Sequence, residues 1–328
     1  MKAMILAAGF GTRLFPLTID RTKPAIPFLG RPVVQYVAEY LRAFGITDLV
    51  VNLHHQPDSV IRALGDGSDY GVRIQYSIEQ PEILGTSGAL DHARHLLGDE
   101  AFVIVNGKIV TDIDIAAAIK THRDTGAVAT MVLKPNAARE RFTEVVVEDG
   151  LVRGFGGYPE PAAAAGDPVP MMFTGIHILE PSVFEYIPRG VYSDIVPTFY
   201  QPAIERGETI AAHIADGRWF ELSTLRRYLD ISLAMMTAGC SVQIGRGSVV
   251  ADRADVTDSV IWDDVVVEPG ATLRRAVIAD GVRVRSGQRF ENAVVVRAAS
   301  VRACSSIPEK APAGFFDGEN YVVPLADQ

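Results

Sequence analysis

The sequence lacks the features that define several large classes of protein. Its two cysteines, Cys240 and Cys304, are too few for a disulfide framework and match no zinc-ligand spacing. No low-complexity tract and no apolar run of membrane-spanning length occurs in the 328 residues. The apolar run at residues 4–8 is too short for the core of a signal peptide, so we interpret it as a first β-strand. We therefore expect a cytoplasmic protein with reduced thiols and no membrane partner.

The sequence also lacks an excess of positive charge. Its formal net charge is −9, which argues against a nucleic-acid surface, because such a surface needs clustered lysine and arginine. A small anionic ligand held in a local basic pocket is compatible with that charge. The rest of the composition, 48% hydrophobic and 22% charged, is typical of a globular protein, and the length favours two domains.

The first two-thirds of the chain alternates strand-like and helix-like patterns. Short apolar runs at residues 2–7, 48–53 and 101–107 are separated by segments with apolar residues at helical spacing. Such alternation indicates crossover units, and it predicts an α/β fold with a mainly parallel sheet covered on both faces. The stretch at 159–170 is rich in proline and alanine, which favours an exposed connection.

The C-terminal third has a different periodicity, in which a large apolar residue recurs in steps of six, six and five. The recurring positions are Ile244, Val250, Val256, Ile261, Val267, Leu273, Ile278, Val284, Phe290 and Val295. Helical spacing does not produce a 17-residue period of this kind, whereas three short strands per turn do, so we predict a β-solenoid. The alternative is a β-rich domain with accidental spacing. Residues 302–328 are expected to form a tail or cap.

The strongest functional signal is the glycine-rich stretch after the first strand, Gly-Phe-Gly-Thr-Arg at residues 9–13. Leu14 stands where a dinucleotide-binding motif needs glycine, and the Gly-Lys-Ser/Thr phosphate loop is absent. Glycines let backbone N–H groups approach phosphate oxygens, and Arg13 can clamp those oxygens in a bidentate way. Lys23 adds a compact cation, in a turn stiffened by Pro24. The spacing indicates a polyphosphate site, and the alternative is an ordinary turn with solvated side chains.

These motifs resemble those of the sugar-1-phosphate nucleotidylyltransferases, most closely the mannose-1-phosphate guanylyltransferase-like branch. The resemblance covers nearly all of the chain. It also rests on Leu84-Gly85-Thr86-Ser87-Gly88 with the preceding Gln80, on the strand at 101–107, and on residues 173–179 and 218–229. It implies a Rossmann-like nucleotidyltransferase domain over residues 1–240 and a short left-handed β-helix of hexapeptide type over residues 241–328. It further implies an oligomer, formed with other copies or with a paralogue.

The reaction that this resemblance implies is the attack of a sugar 1-phosphate oxygen on the α-phosphorus of a nucleoside triphosphate, with release of pyrophosphate. Such chemistry needs no covalent nucleophile. It needs two polyanions held in line and their charge neutralised. GTP with mannose 1-phosphate is the first expectation for the substrate pair.

The resemblance also implies roles for individual residues. Those expected to bind the nucleotide are Ala8, Gly9, Gly11, Thr12, Gln80, Gly85 and Asn106. Those expected to bind the sugar phosphate are Glu144, Thr174 and Gly175. The expected catalytic residues are Arg13 on the leaving pyrophosphate, Lys23 at the reacting phosphates, and Lys108.

Three positions depart from the pattern of the family. Lys108 stands where the family has the aspartate that holds Mg²⁺, and Glu221 replaces its second metal aspartate. The stretch at 155–159 corresponds to a sugar-phosphate motif but has neither its glutamate nor its lysine. Because an ammonium group does not ligate Mg²⁺, the metal expected of the family is in doubt, and Glu221 is the one candidate ligand.

Several explanations of Lys108 remain open. In the first, the fixed positive charge of Lys108 takes the place of the metal ion, and Glu221 is its partner. In the second, Lys108 and Glu221 form an ion pair that fills a site which no longer binds a metal. A displaced metal on Glu221 and Asp112 is a third option, and a solvated lysine at a strand end is the plainest one. Asp112 and Asp114 themselves fit an N-terminal capping role for the helix that follows.

Two functions follow from these alternatives. The leading hypothesis is a sugar-1-phosphate nucleotidylyltransferase with an atypical metal site. The rival is a catalytically silent subunit that binds a nucleoside triphosphate or a nucleotide sugar and regulates an active paralogue. The intact loop at residues 9–23 supports nucleotide binding under both hypotheses.

Overall fold

The computed structural model describes residues 1–160 and 168–325. These residues divide into two compact units. The first unit comprises residues 1–8, 37–57 and 64–219, and the second comprises 9–36, 58–63 and the described part of 220–328. A domain division at residue 240 stays a prediction of the sequence. Part of the proline- and alanine-rich stretch lies outside the described residues.

Helices and short strands follow one another along the chain. The helices are α1 (Val33–Ala43), α2 (Pro57–Leu64), α3 (Gly85–Leu97), α4 (Ile115–Thr125), α5 (Gln201–Glu205), α6 (Leu225–Met235) and α7 (Ala298–Ala303). The strands up to the middle of the chain are β1 (Ala3–Leu6), β2 (Pro27–Phe28), β3 (Arg31–Pro32), β4 (Asp48–Leu53), β5 (Arg73–Ile78), β6 (Phe102–Asn106), β7 (Ile109–Thr111), β8 (Ala129–Pro135), β9 (Glu144–Glu148), β10 (Leu151–Phe155) and β11 (Met171–Leu179). The remaining strands are β12 (Ile210–Ile214), β13 (Trp219–Glu221), β14 (Val242–Ile244), β15 (Val249–Val250), β16 (Asp255–Thr257), β17 (Ser259–Ile261), β18 (Val266–Val267), β19 (Thr272–Ile278), β20 (Arg283–Val284), β21 (Arg289–Arg297), β22 (Phe315–Asp317) and β23 (Asn320–Pro324). None of the helices in these described residues is both long and apolar enough to cross a membrane.

The first unit is built on a sheet with the strand order β5-β4-β1-β6-β11-β8-β12-β10-β9. Its first four strands run parallel, whereas β11 runs antiparallel to both β6 and β8. The sheet is therefore mixed, and the predicted mainly parallel arrangement is correct only for β5, β4, β1 and β6 and for the pair β8 and β12. Strands β9 and β10 form an antiparallel hairpin, and β11 also pairs antiparallel with β9, so this half of the sheet is built largely from antiparallel pairs.

The core of the first unit lies against this sheet. Strand residues such as Met4, Ile104 and Met131 are fully buried, and they pack with Ala89 and Leu90 of α3. Near-continuous apolar strands of this kind are typical of a sheet that is covered on both faces. The packing therefore holds the ends of β1, β4 and β6 in fixed positions.

Helix α4 shows how local sequence sets an element boundary. The Asp114 carboxylate accepts hydrogen bonds from the backbone N–H groups of Ala116 and Ala117, at 2.9 and 3.2 Å. These bonds satisfy donors that have no partner inside the helix. The predicted capping role of Asp114 is confirmed.

Asp112 does not share that capping role, and this part of the prediction is wrong. Its carboxylate accepts hydrogen bonds from the Arg218 side chain and from the Arg218 backbone N–H. The backbone bond and the neighbouring guanidinium lower the pKa of Asp112 below its ordinary value. Asp112 therefore anchors residue 218 rather than helix α4.

The second unit contains a coil of short parallel strands with a constant offset of 17 residues between paired positions. Val260 pairs with Val277, which in turn pairs with Val294. Most of the periodic positions named above are buried together, as expected of side chains turned inward. Ile244 is an exception at 48% exposed, because its strand β14 pairs with β17 alone and belongs to the first turn. At the other end, β23 pairs antiparallel with β21 and caps the coil.

Candidate functional site

Strand β1 places two asparagines at the carboxyl edge of the sheet in the first unit. Leu6, its last residue, pairs with Asn52 of β4 on one side and with Asn106 of β6 on the other. The carboxyl ends of parallel strands are where α/β sheets bind ligands. We call the two sides of this edge the β4 flank and the β6 flank.

The β4 flank is closed by a buried hydrogen-bond network. Asn52 accepts a bond from the backbone N–H of Ala7 at 2.8 Å and donates one to Glu79 Oε1 at 2.6 Å. Glu79 Oε2 accepts a bond from the backbone N–H of Leu84 at 2.7 Å. Asn52 is 3% exposed and Glu79 is fully buried. The network therefore fixes the backbone before Ala8 and the backbone before Gly85.

Sequence reasoning missed both Asn52 and Glu79. The available signal was their position, since Asn52 interrupts an apolar strand near its end and Glu79 immediately precedes Gln80. A buried carboxylate needs hydrogen-bond partners, and Glu79 finds them in the Asn52 side chain of β4 and in the Leu84 backbone N–H, which directly precedes the predicted nucleotide-binding residue Gly85. Gln80 itself is exposed beside the network.

The glycines at the start of α3 have a clear packing role. A Cβ on Gly85 would lie 2.5 Å from the Ser193 carbonyl oxygen, and one on Gly88 would lie 2.5 Å from the Val191 carbonyl oxygen. Gly85 also has a φ of 74°, which favours glycine. The first turn of α3 therefore needs glycine in order to pack against the segment at 191–194. A contact between Gly85 and a nucleotide base stays a prediction.

On the β6 flank, a bulge in β11 brings Gly175 against Asn106. The register of β11 on β8 shifts between Phe173 and Ile176, and Gly175 has a φ of 79°. A Cβ on Gly175 would overlap the Asn106 side-chain nitrogen. Gly175 is therefore required for this close approach, and the structure brings together two residues that sequence reasoning had placed in different subsites.

Thr174 and Trp219 hold the bulge in place. The Thr174 hydroxyl donates to the Val132 carbonyl oxygen at 2.7 Å, and the Trp219 indole N–H donates to the Thr174 carbonyl oxygen at 2.9 Å. Thr174 is 1% exposed, so its side chain is a structural anchor, and its predicted contact with a sugar phosphate remains a prediction. Trp219 is 8% exposed, so it contributes both buried surface and this hydrogen bond.

Glu144 begins β9 and lies next to the segment that departs from the sugar-phosphate motif. It pairs with Met172 of β11, two residues before Thr174. The backbone N–H of Gly156 donates to the Glu144 carbonyl oxygen at 2.9 Å, and a Cβ on Gly156 would lie 3.3 Å from Glu144 Oε2. Strand pairing therefore brings Glu144, the bulge and residues 155–157 into one neighbourhood.

Lys108 occupies the turn between β6 and β7, directly after Asn106 and Gly107. The backbone N–H of Gly107 donates to the Leu6 carbonyl oxygen at 2.9 Å, which ties this turn to the end of β1. Lys108 is half-buried. The strand end at the ligand edge thus carries an ammonium group, as the sequence indicated.

These residues do not fit a magnesium site built on two aspartates. The Lys108 side chain has no oxygen to offer at the end of β6, and Asp112 is bonded to Arg218. Glu221 is buried at 7% exposure and remains a single candidate. Within residues 1–160 and 168–325, no group of three or more histidine, cysteine, aspartate or glutamate side chains is close enough to hold a metal ion. We therefore derive no step of the chemistry through Mg²⁺, although the family generally uses it.

In the second unit, the glycine-rich loop packs Gly11 closely against Lys23. Gly11 has a φ of 67°, and a Cβ there would lie 3.0 Å from Thr18 Cγ2 and 3.3 Å from Lys23 Cβ. Lys23 is 8% exposed, whereas Arg13 is exposed on a short 3₁₀ turn. Glycine at position 11 therefore lets the loop backbone pack directly against the buried residue Lys23.

Comparison with known protein families agrees with the motifs. The model of the nucleotidyl transferase family matches residues 2–238, and that of the GlmU-like C-terminal hexapeptide region matches residues 232–313. A UTP–glucose-1-phosphate uridylyltransferase of Synechocystis is 33% identical over 241 residues, which cover 70% of this chain and 61% of that protein.

Other relatives extend this similarity. A probable mannose-1-phosphate guanylyltransferase of Oryza sativa is 30% identical over 305 residues, covering 84% of this chain and 80% of that protein. An N-acetylmuramate α-1-phosphate uridylyltransferase of Neisseria meningitidis is 33% identical over 69% of this chain and 95% of that protein. A crystal structure described as a glucose-1-phosphate thymidylyltransferase from Bacillus anthracis has a TM-score of 0.61 at 22% identity, over 73% of this chain and 98% of that one. That likeness shows the nucleotidyltransferase fold.

Proposed function

Because the chain belongs to the nucleotidyl transferase family, we propose that it transfers a nucleoside monophosphate from a nucleoside triphosphate to a sugar 1-phosphate. An oxygen of the sugar 1-phosphate forms a bond to the α-phosphorus of the triphosphate. The bond from that phosphorus to the bridging oxygen breaks, and pyrophosphate leaves with the electron pair. The single observation that carries this proposal is the loop in which Gly11 packs against the buried Lys23.

The loop supplies what this reaction needs. Backbone N–H groups around Gly9, Gly11 and Thr12 cradle the triphosphate, and the exposed Arg13 binds the leaving pyrophosphate. Lys23 stabilises the charge that develops on the reacting phosphates. Its burial strengthens that effect, because charges interact more strongly away from bulk water.

The first unit supplies the base and sugar subsites of the proposal. Gln80 and Gly85 meet the base, next to a loop that the Glu79 network holds in place. Gly175 in the bulge meets the sugar phosphate, with Glu144 on the neighbouring strand, and Asn106 of the nucleotide subsite lies against Gly175. A rigid site of this kind lowers the cost of holding two polyanions in line.

GTP with mannose 1-phosphate is the first substrate pair to test. The rice relative named for that activity aligns with 84% of this chain, including part of the C-terminal region. The two uridylyltransferases align with about 70% of this chain at slightly higher identity, so UTP is the first alternative base. We further propose that the C-terminal coil is a left-handed β-helix through which copies, or a copy and a paralogue, assemble.

Lys108 gives the proposed site its atypical character. A fixed ammonium group at the end of β6 neutralises phosphate charge without a metal at this position. The same residue supports the second candidate function, a silent nucleotide-binding subunit, because a lost carboxylate ligand is also what a retired metal site would show.

One experiment separates the two functions. The full chain is incubated with GTP, UTP, ATP, CTP or dTTP and with a panel of sugar 1-phosphates, with and without Mg²⁺, and pyrophosphate release is measured. Release with at least one pair supports the enzyme. Measurable binding of a triphosphate or a nucleotide sugar, without release from any pair, overturns it in favour of the silent subunit. Absence of release and of binding contradicts both functions.

A further inference from the structure

A cavity of about 280 Å³ opens on the β6 flank, next to Asn106 and Gly175. It is far larger than the ~30 Å³ that one water molecule occupies in the liquid, so it has room for a substituent of a ligand. Most of its lining is apolar and includes Leu90, Ile104, Phe173, Ile195 and Val196. No role assigned above uses the apolar lining of this cavity.

Burial of the lining residues gives the cavity a mouth and a floor. Ile104 and Leu90 are at most 1% exposed, and His177 is 3% exposed. Asp194 is exposed, and Thr86 and Asn106 are half-buried. The polar groups therefore stand at the open end, and the closed end is apolar except for one histidine.

That histidine is uncharged. His177 Nδ1 lies 2.6 Å from the hydroxyl oxygen of the buried Tyr200, and the two groups share a hydrogen bond. Burial lowers the pKa of His177 to about 3 and raises the pKa of Tyr200. Both groups are neutral at physiological pH, so the floor offers no ion pair to a charged substituent.

The mouth carries a negative charge that is held in place. Asp194 accepts hydrogen bonds from the Thr86 backbone N–H and hydroxyl, at 3.3 and 3.2 Å, and from the Tyr192 hydroxyl at 3.0 Å. A carboxylate fixed by three donors repels an anionic substituent that passes it. The geometry therefore disfavours acidic sugars at this position.

We propose that this cavity is a subsite for an uncharged, methyl-bearing substituent of the sugar, such as an acetamido group or the methyl of a deoxy sugar. The inference rests on the proposed function, which places the sugar phosphate at Gly175, next to Asn106. A methyl group gains from leaving water for the apolar lining, whereas a hydroxyl there loses its hydrogen bonds to water.

Matched sugar 1-phosphates test the subsite. Pyrophosphate release is measured for N-acetylglucosamine, glucose and glucuronic acid 1-phosphates, and for 6-deoxymannose and mannose 1-phosphates. In at least one matched pair, we expect kcat/KM to be about 10- to 100-fold higher for the methyl-bearing sugar than for its parent. The acidic sugar should be the poorest substrate of its set. Equal or lower values for the methyl-bearing member of both pairs overturn the proposal.

A cavity-filling variant and a matched control localise the effect. Val196→Phe should remove most of the preference for the methyl-bearing sugar, because the added ring occupies the cavity. Val147→Phe enlarges another half-buried valine that packs on the same core but does not line the cavity, and it should keep the preference. A preference unchanged in Val196→Phe contradicts the subsite.

A binding measurement keeps the inference separate from the proposed function. If no pair releases pyrophosphate, the affinities of the same sugar 1-phosphates are measured by calorimetry in the presence of GTP or UTP. Tighter binding of the methyl-bearing member, weakened by Val196→Phe alone, supports the subsite even when turnover fails. Binding without that order, or no binding, overturns it.

Discussion

Each flank of strand β1 carries one asparagine next to Leu6, but the surroundings of the two asparagines differ. Asn52 on the β4 flank is bonded on both sides, to the Ala7 backbone and to the Glu79 carboxylate. Asn106 on the β6 flank faces a cavity, a glycine bulge and the turn that carries Lys108. The first flank is locked by satisfied hydrogen bonds, and the second leaves space and charge at the strand end.

This contrast teaches where the site is rigid and where it has room to vary. A buried network in which every polar group has a partner specifies one geometry, because breaking any bond leaves a buried group unsatisfied. The β4 flank fixes the loops that are predicted to hold the nucleotide. The β6 flank, where the chain departs from its family, is the side predicted to select the sugar.

The largest effect is expected from Glu79→Ala, which breaks the locked flank. The Asn52 amide and the Leu84 backbone N–H both lose their acceptor, and each unsatisfied donor costs about 1–3 kcal/mol, so we expect about 4 kcal/mol of lost stability. Glu79→Gln keeps one acceptor oxygen and should lose about half as much. Chemical denaturation measures both, and Glu82→Ala, at an exposed position in the same loop, should change stability little. A stable Glu79→Ala protein would mean that the β4 flank is not locked.

Gly175→Ala tests the close approach on the β6 flank. The positive φ of Gly175 and the overlap with Asn106 together should cost about 3 kcal/mol, and turnover should fall because Asn106 is displaced. The control is Gly154→Ala, since a Cβ at Gly154 meets no atom within 4 Å. Thermal denaturation and pyrophosphate release are measured for both variants. Equal behaviour of the two would show that the bulge does not need glycine.

His177 predicts a pH dependence on the β6 flank. Its pKa in the folded protein, about 3, lies below the ordinary 6.5, so below pH 6.5 the unfolded chain binds a proton that the folded one does not. Stability therefore falls as pH drops below 6.5. Relative to His177→Gln, the wild type should lose about 2 kcal/mol between pH 6.5 and 5. The free energy of unfolding of both proteins is measured in urea at each pH. If it varies with pH in the same way for both, His177 is not held uncharged in the folded protein.

The smallest expected effect concerns the support of the bulge. Trp219→Phe removes the hydrogen bond to the Thr174 carbonyl oxygen and should cost about 1 kcal/mol. It should also raise KM for the sugar 1-phosphate more than it lowers kcat. Trp262→Phe removes a comparable bond to the Tyr228 hydroxyl in the second unit, so it should cost similar stability without changing KM. A KM that is unchanged in Trp219→Phe would reduce Trp219 to a packing residue.

The sequence predicted those parts of the molecule whose pattern is local or periodic. The 17-residue repeat corresponds to the parallel pairing of Val260, Val277 and Val294. The capping role of Asp114 was predictable because it involves only the nearby backbone N–H groups of Ala116 and Ala117. The glycine loop and the Leu-Gly-Thr-Ser-Gly stretch were sufficient to indicate the family, which the match to residues 2–238 confirms.

The parts that escaped prediction depend on contacts between distant residues. Glu79 reaches Asn52, 27 positions earlier, through strand pairing, and no local pattern indicates that bond. The direction of β11, which is antiparallel to β6 and β8, likewise depends on the preceding β9–β10 hairpin and not on the composition of β11 itself. The cavity at His177 is formed by several separate segments of the chain, so its apolar character becomes visible only in the fold.

The most direct test of the account is pyrophosphate release by three proteins, with Mg²⁺ and with the metal chelated. They are the wild type, Lys108→Met, and the double variant Lys108→Asp with Glu221→Asp. If Lys108 supplies the charge at the strand end, the wild type turns over under both conditions and Lys108→Met loses about 100-fold. A silent wild type, with Mg²⁺-dependent turnover in the double variant alone, would contradict that claim and show that Lys108 closes a retired metal site.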